Sequence, residues 1–81
     1  MIYNPQGLAT AFKLERERRG DSQNDVAKMV GVRQATVNSF ENKPETTKLK
    51  TVFKILSAYQ MGLDVKCGEV KSVSEKDEEN W

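Results

Sequence analysis

The sequence predicts an all-α body of four helices followed by one short strand and an acidic tail, and three observations lead there. Apolar residues recur at helical spacing through the segments that follow Pro5, Ser22, Gly31 and Thr47. Asn4-Pro5, Ser22, Gly20 and Gly31 fall where such helices would start and stop. After Gly62 the period drops to that of a strand, with Leu63, Val65 and Cys67 alternating with Asp64 and Lys66.

Each element has a local cause. The first helix is expected from Pro5 to about Arg19. Asn4 is its N-cap, and proline at the first helical position sacrifices no bond, because that N–H has no partner within a helix. Leu8, Ala11 and Phe12 form its inward face, and Gly20 ends it in a left-handed conformation. Ser22 caps a second helix over 23–29, with Asp25 as the acidic half of a capping box. Its inward residues are Val26, Ala27 and Val30, and Gly31 stops it. The third helix covers 34–41 with Val37 and Phe40 inward, and Pro44 closes the segment after it. Thr46 or Thr47 is expected to cap the fourth helix, over 48–60, where Leu49, Val52, Phe53, Leu56 and Tyr59 share helical spacing. The strand follows over 62–67. Residues 1–67 therefore form one folded domain. Residues 68–81, polar and acidic up to Trp81, are expected to be a flexible, disordered tail.

Composition narrows the function. At 81 residues the chain holds one small domain whose core is marginal, so dimerisation is expected to supply part of its stability. The absence of histidine removes the usual general base and the commonest metal ligand. A single cysteine, Cys67, excludes an intramolecular disulfide and a cysteine zinc site, and is read as an inward strand residue without chemistry. With no visible nucleophile, clustered carboxylates, apolar span or leader segment, the expectation is a cytoplasmic protein that is not an enzyme and needs no metal or cofactor. The net charge of +1 conceals an asymmetry: residues 1–60 carry ten basic and six acidic side chains, residues 61–81 three and six. A basic body suits a polyanion, and the acidic tail would be held away from it.

The second and third helices carry the functional signal. Small Ala27 sits where the two would cross, Gly31 supplies the turn, and Val26, Val30, Val32, Val37 and Phe40 bury the inner faces. That arrangement suits a DNA-binding helix-turn-helix over Gln23 to Asn42. Arg33 stands near the N-cap of the third helix, where a cation opposes the helix dipole, so another task is expected of it. Its guanidinium can pair with guanine or with a phosphate; Gln34 can bond adenine bidentately, Ala35 can touch a thymine methyl, and Asn38 offers a second amide one turn on. These four are the expected base contacts. Ser22, Gln23 and Asn24, at the N-terminus of the second helix, are expected phosphate contacts, together with Thr36, Ser39, Lys43, Thr47 and Lys48. Lys50 and Lys54 are weaker candidates.

Residues 12–60 resemble the lambda-repressor/Cro-type (XRE) helix-turn-helix family, through Arg16, Ser22-Gln23, Val26-Ala27, Gly31-Val32, Thr36-Val37, Phe40-Glu41-Asn42 and Leu49. Within it the chain is similar to the HipB antitoxins, through Gln34-Ala35-Thr36-Val37, Asn38-Ser39-Phe40-Glu41-Asn42, Phe53-Lys54-Ile55-Leu56 and an acidic tail ending in tryptophan. The resemblance implies a homodimer whose strands pair across a two-fold axis through Leu63, Val65 and Cys67. It also implies repression of the protein's own operon at palindromic operators, with the third helix in the major groove, and neutralisation of a HipA-like serine/threonine kinase toxin. The base contacts it implies fall on Arg33, Gln34, Ala35 and Asn38, and it pairs Arg16 with Glu41 as a structural element. Glu15 and Asp21 stand at positions usually apolar in the wider family, so the first helix packs loosely or Glu15 has a basic partner. Leu14 is either partly buried or part of the toxin-binding surface. Trp81 is either mere composition or a tethered anchor for that partner. The alternative functions are a standalone phage-type repressor and a protein-only helical adaptor.

Overall fold

In the computed structural model, which describes residues 2–63, the chain forms α1 (Pro5–Arg19), α2 (Gln23–Val30), α3 (Gln34–Asn42) and α4 (Leu49–Leu56), with 3-10 turns at Pro44–Thr46 and Ser57–Tyr59. The expected strand beyond Leu63, its residues Val65 and Cys67, its pairing across a dimer, and the tail with Trp81 lie outside the described residues.

Capping fixes the first two helices as the sequence implies. Asn4 Oδ1 accepts the Gly7 N–H at 2.7 Å, and Gly20 closes α1 at φ 79°. Ser22 Oγ accepts the Asp25 N–H at 3.0 Å while Asp25 Oδ2 accepts the Ser22 N–H at 2.8 Å, a complete capping box at the start of α2. Gly31 turns the chain at φ 74°, and Arg33 precedes α3 without a side-chain cap bond.

The fourth helix departs from expectation at both ends. Neither Thr46 nor Thr47 caps it: the 3-10 turn after Pro44 delays the start, and Lys48 is the N-cap, with no side-chain bond. Thr46 Oγ1 instead donates to the Lys43 carbonyl at 2.9 Å, and Thr47 Oγ1 is buried without a partner among the described residues. The α-helical part stops at Leu56 rather than at residue 60, and the last turn tightens to 3-10. Gln60, not a glycine, takes the left-handed position at φ 56°.

Ala9, Phe12, Val26, Ala27, Val37, Phe40, Val52, Ile55, Leu56 and Tyr59 form the core, with Leu8 and Val32 packed against it. Ala9, which the periodicity passed over, is fully buried, whereas Ala11 is half-buried. The apolar stripe of α4 is wider than one face requires. Val52, Ile55, Leu56 and Tyr59 take the core, leaving Leu49 and Phe53 exposed on the adjoining flank. Phe12 sits edge-on to Phe40, with ring centroids 5.8 Å apart, and stacks on Tyr59 at 5.4 Å, so one side chain joins α1, α3 and the final turn.

Glu15 and Asp21, the acidic residues at positions usually apolar in the wider family, are both satisfied. Glu15 accepts from Arg18 and from Arg19, the latter at 2.6 Å, and these guanidiniums hold its carboxyl down to about 2. Asp21 accepts the Tyr59 hydroxyl at 2.6 Å. Burial, aided by that bond, pushes the phenol up, and Arg19 lies 4.3 Å over the same ring.

Candidate nucleic-acid interface

α2 packs against α3, and α1 packs behind α3, so the outer face of α3 is displayed on a support of two helices. Val37 and Phe40 anchor that helix inward, which leaves the residues between them pointing out. Arg33, Gln34, Ala35 and Asn38, the expected base contacts, are all exposed along this face. Their neighbours Thr36 and Ser39 turn toward α4. There they line a shallow cleft of about 370 Å³ with Arg33, Thr47, Lys48 and Thr51. An adjoining depression is edged by Arg33, Lys48, Lys50 and Lys54, with no acidic residue among its walls. A row of cations beside a polar helix face is the charge distribution that a phosphate backbone requires. Lys50 and Lys54, the weaker candidates, thus share one depression with Arg33 and Lys48, and their spacing of four on α4 is the signal for it in the sequence.

Behind the face lies a hydrogen-bond chain anchored in the core. Arg16 Nε donates to Glu41 Oε2 at 2.7 Å and Nη2 donates to Oε1 at 3.0 Å, while Nη1 donates to the Asp21 carbonyl at 2.8 Å. Both side chains are nearly inaccessible, at 10% and 1% exposure, so the pair binds α1 to α3 in a low-dielectric setting. The bond to Glu41 raises the Arg16 pKa above its ordinary value. Glu41 Oε1 also accepts Gln23 Nε2 at 2.9 Å. Gln23 Nε2 reaches Asn38 Oδ1 at 3.3 Å, and Gln23 Oε1 accepts Gln34 Nε2 at 2.8 Å. Asn42 Nδ2 donates to Asn38 Oδ1 at 2.8 Å and to the Asn38 carbonyl at 3.0 Å.

The network revises two expected phosphate contacts. The carboxamide of Gln23 is committed to Glu41, Asn38 and Gln34, so only its backbone N–H is left to offer a phosphate. The Ser22 N–H is taken by Asp25, as a capping box requires, and is not open to a phosphate. The first i→i−4 bond of α2 is made by Val26, so the N–H groups of Gln23 and Asn24 precede the helix ladder. Lys43 is exposed at the end of α3. Asn42 is a functional neighbour that the sequence reading left off the contact set, although its spacing of four from Asn38 signals it. Leu14 is 60% exposed on the outer side of α1, which removes the partly buried reading, and Leu63 is 45% exposed at the last described position. No helix among the described residues is long and apolar enough to cross a membrane.

Comparison with known proteins places this geometry. Residues 12–66 match the helix-turn-helix family HTH_3. Over 62 residues, 76% of this chain, it is 45% identical to the antitoxin HipB of Escherichia coli K12, covering 70% of that protein. The same identity and span hold for antitoxin HipB of Escherichia coli O6:H1 strain CFT073, of which the match covers 66%, just under two thirds. Among solved structures, a HipB variant complexed with an O2 20mer superposes with a TM-score of 0.80 at 40% identity, covering 85% of this chain and 96% of that one. HipB within a HipA–HipB–O2–O3 complex gives the same score and identity, covering 85% and 97%.

Proposed function

Because this chain belongs to the helix-turn-helix family of the HipB antitoxins, we propose that it is a cytoplasmic, dimeric repressor of its own operon that also acts as the antitoxin of a HipA-like kinase. The observation that carries the DNA-binding part is the exposed row Arg33, Gln34, Ala35 and Asn38, held on a helix whose neighbours are bonded to the core. In the proposed complex two copies of α3 enter successive major grooves about 34 Å apart. Arg33, Gln34, Ala35 and Asn38 read bases. The backbone N–H groups of Gln23 and Asn24 at the α2 N-terminus, the Ser22 hydroxyl, and Thr36, Ser39, Lys43 and Lys48 hold the phosphates. Thr47, expected among them, has its hydroxyl buried and its N–H bonded to the Pro44 carbonyl.

The proposed dimer forms through the segment 62–67, with Leu63, Val65 and Cys67 on the paired strands. Leu14 and Trp81 are the proposed toxin contacts. HipA and the O2 and O3 sites in complexes of the relatives support this reading. Charge supports it as well, since the basic residues concentrate in the body that carries α3.

Two substitutions test the division of labour. Gln34→Ala is expected to weaken binding to the preferred duplex by about 1–3 kcal/mol, with the loss confined to one base pair per half-site. Equal losses on preferred and random duplexes would remove Gln34 from base reading. Lys48→Ala is expected to weaken binding to all sequences alike and to lower the slope of log K against log salt by about 1. An unchanged slope would take Lys48 off the phosphate set.

A further inference from the structure

The side-chain amides of α3 do not face DNA with a free choice of orientation. The reason begins in the core, at a group that can only accept. The Glu41 carboxylate lies 2.9 Å from the Gln23 carboxamide, so the nitrogen of that carboxamide must face it. The second N–H of Gln23 then points to Asn38, which must answer with its oxygen, at 3.3 Å. Asn42 Nδ2 donates to the same oxygen at 2.8 Å, so both acceptor positions of Asn38 Oδ1 are filled. On its other side Gln23 presents oxygen, which accepts one N–H of Gln34 at 2.8 Å.

The two readers are therefore left with different chemistry. Gln34 keeps a free oxygen and one N–H, the donor–acceptor pair that matches adenine N6 and N7. Asn38 keeps two N–H groups and no free acceptor. Guanine is the base that shows two adjacent acceptors, O6 and N7, in the major groove, whereas adenine N6 needs an acceptor that Asn38 has already spent.

We propose that the chain Glu41–Gln23–Asn38–Asn42 fixes the amide polarity of the recognition face, making Asn38 a guanine reader that rejects adenine. Gln23, Glu41 and Asn42 act as positioning residues, without touching the base. The inference rests on the proposed function and goes beyond it by assigning a base to Asn38.

The test is selection of bound duplexes from a randomised pool by the full-length protein, by Asn38→Ala and by the double variant Gln23→Met/Asn42→Ala. Asn38→Ala identifies the base pair concerned, as the one whose preference disappears. At that pair the unaltered protein is expected to enrich guanine over adenine by about tenfold or more. The double variant, which alters half-buried Gln23 and exposed Asn42, is expected to admit adenine within about threefold of guanine, because its Asn38 amide is free to turn. Enrichment of adenine at that pair by the unaltered protein, or no pair sensitive to Asn38→Ala, would overturn the inference while leaving the DNA-binding function standing. An undiminished guanine preference in the double variant would overturn the positioning roles of Gln23 and Asn42. Failure of the unaltered protein to enrich any sequence would overturn both the proposed function and the inference built on it. The guanine-to-adenine ratio of the unaltered protein decides the base assignment alone, whatever the stability of the variants.

Discussion

Glu41→Ala is expected to cost about 3–5 kcal/mol of folding stability, the usual loss when one partner of a buried ion pair is removed. Arg16, a buried residue in the intact protein, would keep its charge between α1 and α3 with two of its three bonds gone. Against a total stability that is typically about 5–15 kcal/mol, such a loss removes a large share of the stability of a small domain. Urea unfolding of the purified chain measures it directly. A control separates geometry from charge: Arg16→Met/Glu41→Leu, which removes both ions, is expected to be more stable than either single change. A loss below about 1 kcal/mol for Glu41→Ala would show that the pair is not the buried clamp described.

Phe12→Ala is expected to be comparably severe, about 3–5 kcal/mol, because an inaccessible aromatic is deleted from the point where α1, α3 and the last turn meet. For a domain of this size that corresponds to a fall in Tm of at least about 12 °C. Leu14→Ala, two residues on but 60% exposed, is expected to change stability by no more than about 0.5 kcal/mol. Thermal unfolding of the two variants side by side tests the assigned faces of α1. Equal losses would contradict them.

The helix boundaries that were legible in the sequence are those written by backbone chemistry. Asn4-Pro5, Ser22 with Asp25, Gly20 and Gly31 each satisfy or relax a terminal group locally, so their meaning survives without knowledge of the fold. The fourth helix was harder, for two physical reasons. Its start is displaced by a 3-10 turn that opens on the buried Pro44 and packs against α1 and α3, a tertiary effect, and two threonines resemble caps that the turn uses otherwise. Its apolar stripe is broad enough to be read in two rotations, and the stripe alone does not choose between Ile55 and Phe53. Gln60 could not be foreseen as a left-handed terminator, since glycine or asparagine usually fills that position.

The exposed face of α3 followed directly from the inward period of Val37 and Phe40. The bonds behind it did not, because they join Arg16, Gln23, Glu41 and Asn38 from three helices whose packing had to be known first. That gap matters for Gln23. As a residue at a helix N-terminus it reads as a phosphate contact, while its carboxamide is in fact the link between the buried carboxylate and the exposed amides of Gln34 and Asn38.

The most direct test of DNA recognition is fluorescence-anisotropy binding of the full-length protein to the DNA upstream of its own gene, against a scrambled duplex, at several salt concentrations. A specificity ratio of about 10³ or more, retained as salt rises, is the predicted result. Equal, weak and salt-sensitive binding to both duplexes would contradict it, leaving α3 as a polar surface on a basic body.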